Sequence, residues 1–436
     1  MLVRLQGTRR TSQSALAWML GFVFLPFAAI PLFLLFGSRK FPTRAKKPEA
    51  SLSPWSKEEL AGAPKHSRVL SGSVVPPRPG HSFELLGDGE RAFARLIELI
   101  HGAQRSIDLT MFILGHDATG RAVVDALAER ADQGVQVRLI LDSVGCPRSR
   151  YYARQKLRKN AEVRLFMPLS ISPIRGRTNL RSHRKLVVID REHVFSGGMN
   201  FADEYMGSGP RDNGQPRWRD VAAVVRGPVA LDGEAMFESD WAFTGGKRRG
   251  DAPFPVPQSG HEILQLVPSG PDLVTDTVYD LLLTAITEAR SRVALVTPYY
   301  VPDDALQHAL VLCARRGVRI DLVVPWVSNH RIADIARGDL LRELGAAGAT
   351  VHYYPGGMVH AKAMVVDDDF AYVGSPNFDM RSFYLNYENA LCVYSAGAIG
   401  QIRIYVDGLL SQCIGEGPPA RWLALEQIAR FLAPEL

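Results

Sequence analysis

One constellation of reactive side chains occurs twice in this chain. His183, Lys185 and Asp190 open the stretch HRKLVVIDREHVFSGGMN (183–200), and His360, Lys362 and Asp367 open HAKAMVVDDDFAYVGSPN (360–377). Both read H-x-K-x4-D-x6-G-[GS]-x-N. A single H-x-K-x4-D arises from composition alone in roughly one chain of this length in a hundred, the ordinary risk of any short motif. Two copies with identical onward spacing do not arise that way. Imidazole attacks or donates a proton near neutral pH, because its unperturbed pKa lies at about 6.5. Ammonium groups (Lys185, Lys362) and amides (Asn200, Asn377) neutralise and hold anionic oxygens. Together these types describe a phosphate site at which covalent catalysis can split one displacement into two.

The spacing dictates how such a site is built. Each histidine and lysine sit two residues apart at the mouth of an apolar run, Leu186–Ile189 or Ala363–Val366. In a strand, residues i and i+2 share a face, so each copy presents an imidazole beside an ammonium. A polar turn follows (190–192; 367–369), then a returning strand that ends in Gly197-Gly198 or Gly374-Ser375. Small residues there let backbone N–H groups approach an anion. Asp190 and Asp367 complete the motif's catalytic set, although their position just past an apolar run suits a turn better than chemistry.

The elements around the motifs repeat as well. The pattern predicts a helix near Ala92–Ile100, a strand over Ile107–Ile113, a helix over Ala118–Gln133 and a strand over Val135–Leu141. The same order recurs as Val278–Ala289, Val293–Thr297, Ala305–Arg316 and Val318–Val324, and short strands (163–166; 351–354) precede each motif. Strands alternating with helices in matched halves indicate an internally duplicated α/β protein. The halves are expected at 81–250 and 251–436, after a Pro-rich linker at 41–80 and an N-terminal membrane segment at 1–40.

Ala15–Phe36 carries no charge. As one helix it would extend about 33 Å, against a hydrocarbon core of roughly 30 Å, so a transmembrane helix is expected here. Pro26 and Pro31 would kink it or turn it into a re-entrant hairpin. Arg4, Arg9 and Arg10 precede it, and the larger group Arg39, Lys40, Arg44, Lys46 and Lys47 follows, which favours a cytoplasmic catalytic part.

With 436 residues, 46% of them hydrophobic, the chain can bury a large core; disorder is excluded. A net charge of +6 favours anionic partners, either nucleic acid or an acidic membrane surface. Four cysteines without a C-x-x-C pair read as free thiols in a reducing compartment, and no histidine grouping has metal-ligand spacing. No metal or cofactor is expected. Arg148, Arg150, Arg154, Lys156, Arg158, Lys159, Arg175, Arg177 and Arg181 gather before the first motif, either as a solvated helix face or as an attraction for anionic headgroups. Tyr299, Tyr300 and Pro302 suit an entrance to the site or plain packing equally.

The duplicated motif, with GVQVRLILD at Gly134, Arg217-Trp218-Arg219-Asp220, Ser269-Gly270-Pro271-Asp272, TPYYVPDD at Thr297 and GSPNFDMRSFYLNYE over Gly374–Glu388, resembles the phospholipase D superfamily and its bacterial cardiolipin synthase branch. The resemblance covers the chain from about residue 80 onward. It implies two duplicated α/β halves, each a mixed sheet flanked by helices, around a shared active site and preceded by a transmembrane helix. By position it makes His183 the nucleophile that forms a phosphohistidine and His360 the general acid. Lys185, Lys362, Asn200 and Asn377 would hold nonbridging oxygens, Ser375 would add a phosphate contact, and Asp220 and Glu388 would orient the imidazoles. The implied reaction moves a phosphatidyl group from one phosphatidylglycerol to another at the bacterial inner membrane, releasing glycerol. A phospholipase D-type hydrolase is the alternative; a nuclease fits less well, since no basic region is interleaved with stacking aromatics. Partners are thus an anionic phospholipid and a membrane, with no nucleic acid expected.

Overall fold

The computed structural model describes residues 12–33 (except 28, 31 and 32), 54–168 (except 159), 180–250 (except 212), 258–415, and residues 417, 426 and 429. Lys159, Arg175 and Arg177 of the basic group, and the charged flanks of the N-terminal segment, lie outside them.

Fourteen strands form one sheet. The first seven are β1 (Arg78–Leu86), β2 (Ser106–Met111), β3 (Gln136–Asp142), β4 (Ala161–Phe166), β5 (Leu186–Ile189), β6 (His193–Gly197) and β7 (Ala222–Arg226). The second seven are β8 (Glu262–Ser269), β9 (Arg292–Val296), β10 (Arg319–Pro325), β11 (Thr350–Tyr354), β12 (Ala363–Val366), β13 (Phe370–Gly374) and β14 (Glu388–Val393). Read from the centre outward, one side runs β1-β7-β6-β5-β2-β3-β4 and the other β8-β14-β13-β12-β9-β10-β11, the same order with every number raised by seven. The two sides join where β1 pairs antiparallel with β8, Arg78 opposite Leu264 and His81 opposite Glu262. Within each side, parallel pairs (β2–β3, β3–β4; β9–β10, β10–β11) adjoin antiparallel ones, so the sheet is mixed.

Helices follow the same duplication: α1 (Gly89–Gly102), α2 (Ala118–Asp132), α3 (Ser149–Lys156) and α4 (Val229–Phe243), then α5 (Thr277–Glu288), α6 (Asp304–Arg315), α7 (Arg331–Ala346) and α8 (Ala396–Leu410). Asp88, Asp117 and Asp303 cap α1, α2 and α6 by accepting backbone N–H groups of the first turn. Two cores lie under α1–α2 and under α5–α7, and a third, containing Leu186, Val188, Leu264, Ala294 and Ile402, is shared by both sides of the sheet. Burial of β-branched residues on both faces explains why β5, β12 and their neighbours read as continuous apolar runs.

The chain entering β1 is packed rather than free. Trp55, Ala63, Leu70 and Val74 belong to the second core, and the Trp55 indole donates to the Val74 carbonyl (2.7 Å). His66, fully buried, lies between Glu288 (2.9 Å) and Asp369 (3.1 Å).

The expected transmembrane helix is not formed. Among the described residues no helix is long and apolar enough to cross a membrane. The N-terminal helix spans Ser12–Phe24, about 20 Å, and ends where Pro26 removes a backbone donor. The chain then turns back: Phe33 packs with its ring 5.1 Å from both Trp18 and Phe22, and a Cβ at Gly21 would lie 3.1 Å from that of Ala29. A straight helix would hold Trp18 and Phe33 more than about 20 Å apart.

Candidate active site

Each motif histidine enters the site on a bridge made with the opposite half. His183 donates its backbone N–H to the Tyr387 carbonyl (2.8 Å), and Tyr387 returns one to Arg181 (2.9 Å). On the other side His360 donates to Arg219 (2.7 Å) and Arg219 to Met358 (2.9 Å). The residues following Tyr387 and Arg219 are Glu388 and Asp220, so the bridges deliver a carboxylate to the imidazole of the other half. His183 Nδ1 lies 2.9 Å from Glu388 Oε2, and His360 Nδ1 lies 2.7 Å from Asp220 Oδ2. A carboxylate on Nδ1 holds its proton there and leaves Nε2 as the reactive nitrogen.

The i, i+2 geometry places both lysines beside their histidines. Lys185 Nζ donates to the His183 carbonyl (2.8 Å), and Lys362 Nζ lies 2.7 Å from His360 Nδ1. All four side chains are buried, as are Asp220 and Glu388. Burial pushes the His183 imidazole down to about 4 against the pull of Glu388, and His360 to about 3 with Lys362 adding to the effect. Burial together with the neighbouring Lys362 takes Lys185 down to about 7, and burial takes Lys362 to about 8. Burial alone would raise Asp220 and Glu388, but the imidazoles and lysines hold both carboxyls below their usual range. Lys362 acts on His183 and Lys185 on His360, so the two motifs share one electrostatic environment. At neutral pH the free site carries two neutral imidazoles, two carboxylates and two lysines close to losing their charge.

The walls differ between halves. Phe112 meets His183 edge-on at 4.9 Å, whereas His360 is flanked by both Tyr205 (4.9 Å) and Trp218 (5.6 Å). Asn200 is buried, with its side-chain oxygen accepting from Ile113 N–H and a hydrogen bond to Tyr205; Asn377 bonds Asp379.

Other residues singled out by the motif lie away from the imidazoles or have protein partners of their own. Asp190 and Asp367 stand at the far ends of β5 and β12 from the histidines. Asp190 accepts the N–H groups of Gln104, Arg105 and Ser106, and Asp367 those of Arg290, Ser291 and Arg292. These carboxylates tie the turn to the helix–strand junction and touch no motif histidine or lysine. The glycines do not offer bare N–H groups either: Gly198 donates to Val221, Gly374 to Lys362 and Ser375 to Asn389. Their smallness serves close packing, since a Cβ at Gly198 would lie 2.3 Å from Asp220 Oδ1. Ser375, expected on phosphate, donates its hydroxyl to Glu388 and accepts from Asn389 N–H (3.0 Å).

Other residues that set the site were missed. Arg184, between the motif histidine and lysine, points to the opposite face and is buried against Asp240 (2.6 Å), the Glu388 carbonyl (3.1 Å) and the Ser269 carbonyl (3.3 Å). The alternation that pairs His183 with Lys185 already required this. Asn386 donates to Glu388 (3.2 Å), and Asn389 accepts from Lys185 N–H (3.3 Å). Asp142 accepts from Ser182 N–H (3.2 Å) and pairs with Arg181 (3.3 Å), fixing the approach to His183. Among the described residues no group of three or more His, Cys, Asp or Glu side chains could hold a metal ion.

Known proteins share this sequence pattern and this fold. The family model described as cardiolipin synthase, PLD-like domain, matches residues 96–241 and 282–410. The chain is 30% identical to a cardiolipin synthase of Geobacillus thermodenitrificans over 98% of its own length and 90% of that protein. It is 30% identical to cardiolipin synthase A of Citrobacter koseri, over 94% and 89%. Phosphatidylserine synthase of Haemophilus influenzae shares the fold at a TM-score of 0.60 and 15% identity, covering 81% of this chain and 95% of that one.

Proposed function

The chain belongs to the cardiolipin synthase family of phospholipase D-like proteins, and from that membership we infer that it is a phosphatidyltransferase joining two phosphatidylglycerols into cardiolipin with release of glycerol. The observation that carries this reading is the pair of buried imidazoles, each oriented at Nδ1 by a carboxylate from the opposite half.

In the proposed sequence, His183 Nε2 attacks the donor phosphorus and the phosphorus–oxygen bond to the departing glycerol breaks. The leaving oxygen takes a proton from His360. The hydroxyl of a second phosphatidylglycerol then gives its proton back to His360 and attacks the phosphohistidine, restoring His183. Lys185, Lys362, Asn200 and Asn377 take the nonbridging oxygens, and Asp220 and Glu388 hold the tautomers. In this reading Asp190 and Asp367 tie their turns rather than touch substrate, and Ser375 acts through Glu388.

A neutral His360 cannot act as an acid until it gains a proton, and the substrate supplies the drive. A phosphodiester anion about 4 Å away is worth roughly 4 kcal/mol at an effective dielectric of about 20, enough to move an imidazole upward by about three pH units. From about 3, His360 would reach the range in which proton transfer to an alcohol is efficient.

Both basic flanks of the N-terminal segment, and the exposed Arg148, Arg154, Lys156 and Arg158, suit a surface of anionic phospholipid, and we place the protein at the bacterial inner membrane with its catalytic body in the cytoplasm. The test is to incubate the purified chain with phosphatidylglycerol and resolve the products. Cardiolipin and glycerol are expected in equal amounts; phosphatidic acid without cardiolipin would replace transfer by hydrolysis.

A further inference from the structure

We propose that the N-terminal segment is a re-entrant hairpin that enters and leaves the bilayer on the same side, lying in one leaflet. The inference rests on the membrane reading above and adds the form of the contact. Three observations carry it. The fold-back is close: Phe33 stands against Trp18 and Phe22, and Gly21 lets Ala29 approach. Apolar exposure concentrates at the turn, with Val23 71%, Phe24 74%, Leu25 66% and Phe27 95% exposed, a surface that water does not favour. The residues before and after the hairpin are basic on both sides, Arg4, Arg9 and Arg10 against Arg39, Lys40, Arg44, Lys46 and Lys47.

A spanning helix would put one of those basic flanks on the wrong side of the membrane, whereas a hairpin puts both on the side that anionic lipid and the positive-inside rule favour. The first arm, Ser12–Phe24, is about 20 Å long, too short for a hydrocarbon core of roughly 30 Å and sufficient for one leaflet. The turn is also tolerable in lipid: Leu25 N–H is bonded to Gly21 (2.8 Å), Ala29 N–H to Leu25 (2.8 Å), and Pro26 has no N–H to leave unpaired. The partner that fits is hydrocarbon at the tip and anionic headgroups at the base.

The experiment uses the full chain in inverted and right-side-out membrane vesicles, carrying Thr11→Cys or Ser51→Cys and treated with a membrane-impermeant maleimide. The unsubstituted chain sets the background from its own cysteines, and detergent-solubilised samples set full labelling. Both positions are expected to label from the same side, that of the catalytic body. Labelling from opposite sides overturns the proposal. A companion variant, Val23→Asp with Phe27→Asp, is expected to raise the fraction released into the soluble phase at least tenfold; unchanged membrane recovery overturns it too. Neither readout depends on turnover, so the proposal and the phosphatidyl-transfer reading can fail separately.

Discussion

His183 and Glu388 are 205 positions apart in sequence, yet His183 Nδ1 lies 2.9 Å from Glu388 Oε2, and His360 makes the reciprocal contact with Asp220 across 140 positions. Each half lends its carboxylate to the other's imidazole, so under the proposed mechanism neither half is complete alone. The first prediction follows. Asp220→Asn and Glu388→Gln should each lower kcat by about 10³–10⁴, the scale seen when a catalytic imidazole loses the carboxylate that fixes its tautomer. Cardiolipin formation checks it, with circular dichroism to verify folding; a loss under tenfold in either variant would remove that carboxylate from the mechanism.

Arg184 ties the two halves under the site, and it is buried with Asp240. Replacing it as Arg184→Met takes the guanidinium away from the buried Asp240 carboxylate. Breaking such a pair costs about 3–5 kcal/mol. Urea unfolding should register that drop; a change below about 1 kcal/mol would mean that the buried guanidinium, with its bonds to the Glu388 and Ser269 carbonyls, contributes little to the fold.

The lysines set an alkaline limit. Both are depressed, Lys185 to about 7 and Lys362 to about 8, so each loses its charge as pH rises through its own value. Affinity for an anionic phosphodiester should therefore fall above about pH 8, seen in kcat/KM for the free enzyme. Substrate binding should also take up a proton, measurable by calorimetry in buffers of different ionisation enthalpy. A flat profile to pH 10 with no proton uptake would contradict both.

Asp367 serves stability. Burial would raise its carboxyl, but the N–H groups of Arg292, Ser291 and Arg290 and the Ser291 hydroxyl hold it at about 2. A depressed carboxyl contributes stability above its unfolded pKa of about 4, and that contribution is lost as pH falls from there toward 2. Asp367→Ala should cost about 1–2 kcal/mol at pH 6, as loss of a capping carboxylate does, with the gap from the unsubstituted chain closing below pH 4. Turnover of the folded variant should stay within a few-fold; a loss as large as that of His360→Ala would return Asp367 to the chemistry.

Most of this architecture was legible because the chain says it twice. The strand–helix order, the paired His and Lys and even the partners Asp220 and Glu388 followed from spacing and resemblance. What escaped has a common physical origin: it depends on which group a backbone or side chain meets, and the meeting partners are distant in sequence. The N–H groups of Gly198 and Ser375 look available from their spacing, and only sheet pairing reveals that Val221 and Asn389 take them. Ser375 looks like a phosphate ligand until Glu388 arrives from 13 residues on. In the N-terminal segment hydropathy counts length and ignores direction: 22 uncharged residues suffice for a span only if they run one way, and the chain past Pro26 brings Ala29 and Phe33 back against Gly21, Trp18 and Phe22.

The docking of Trp55 and His66 onto the second core has a consequence for reach. Had the whole stretch from the hairpin to β1 been loose, the catalytic body would be on a long leash, free to wander from the bilayer. With the chain fastened at Trp55, only residues 34–53 intervene, and even fully extended they cover no more than about 70 Å. With the hairpin seated in lipid as proposed, that span sets how far the catalytic body can stand from the bilayer, and lengthening it is how one would let the body stray.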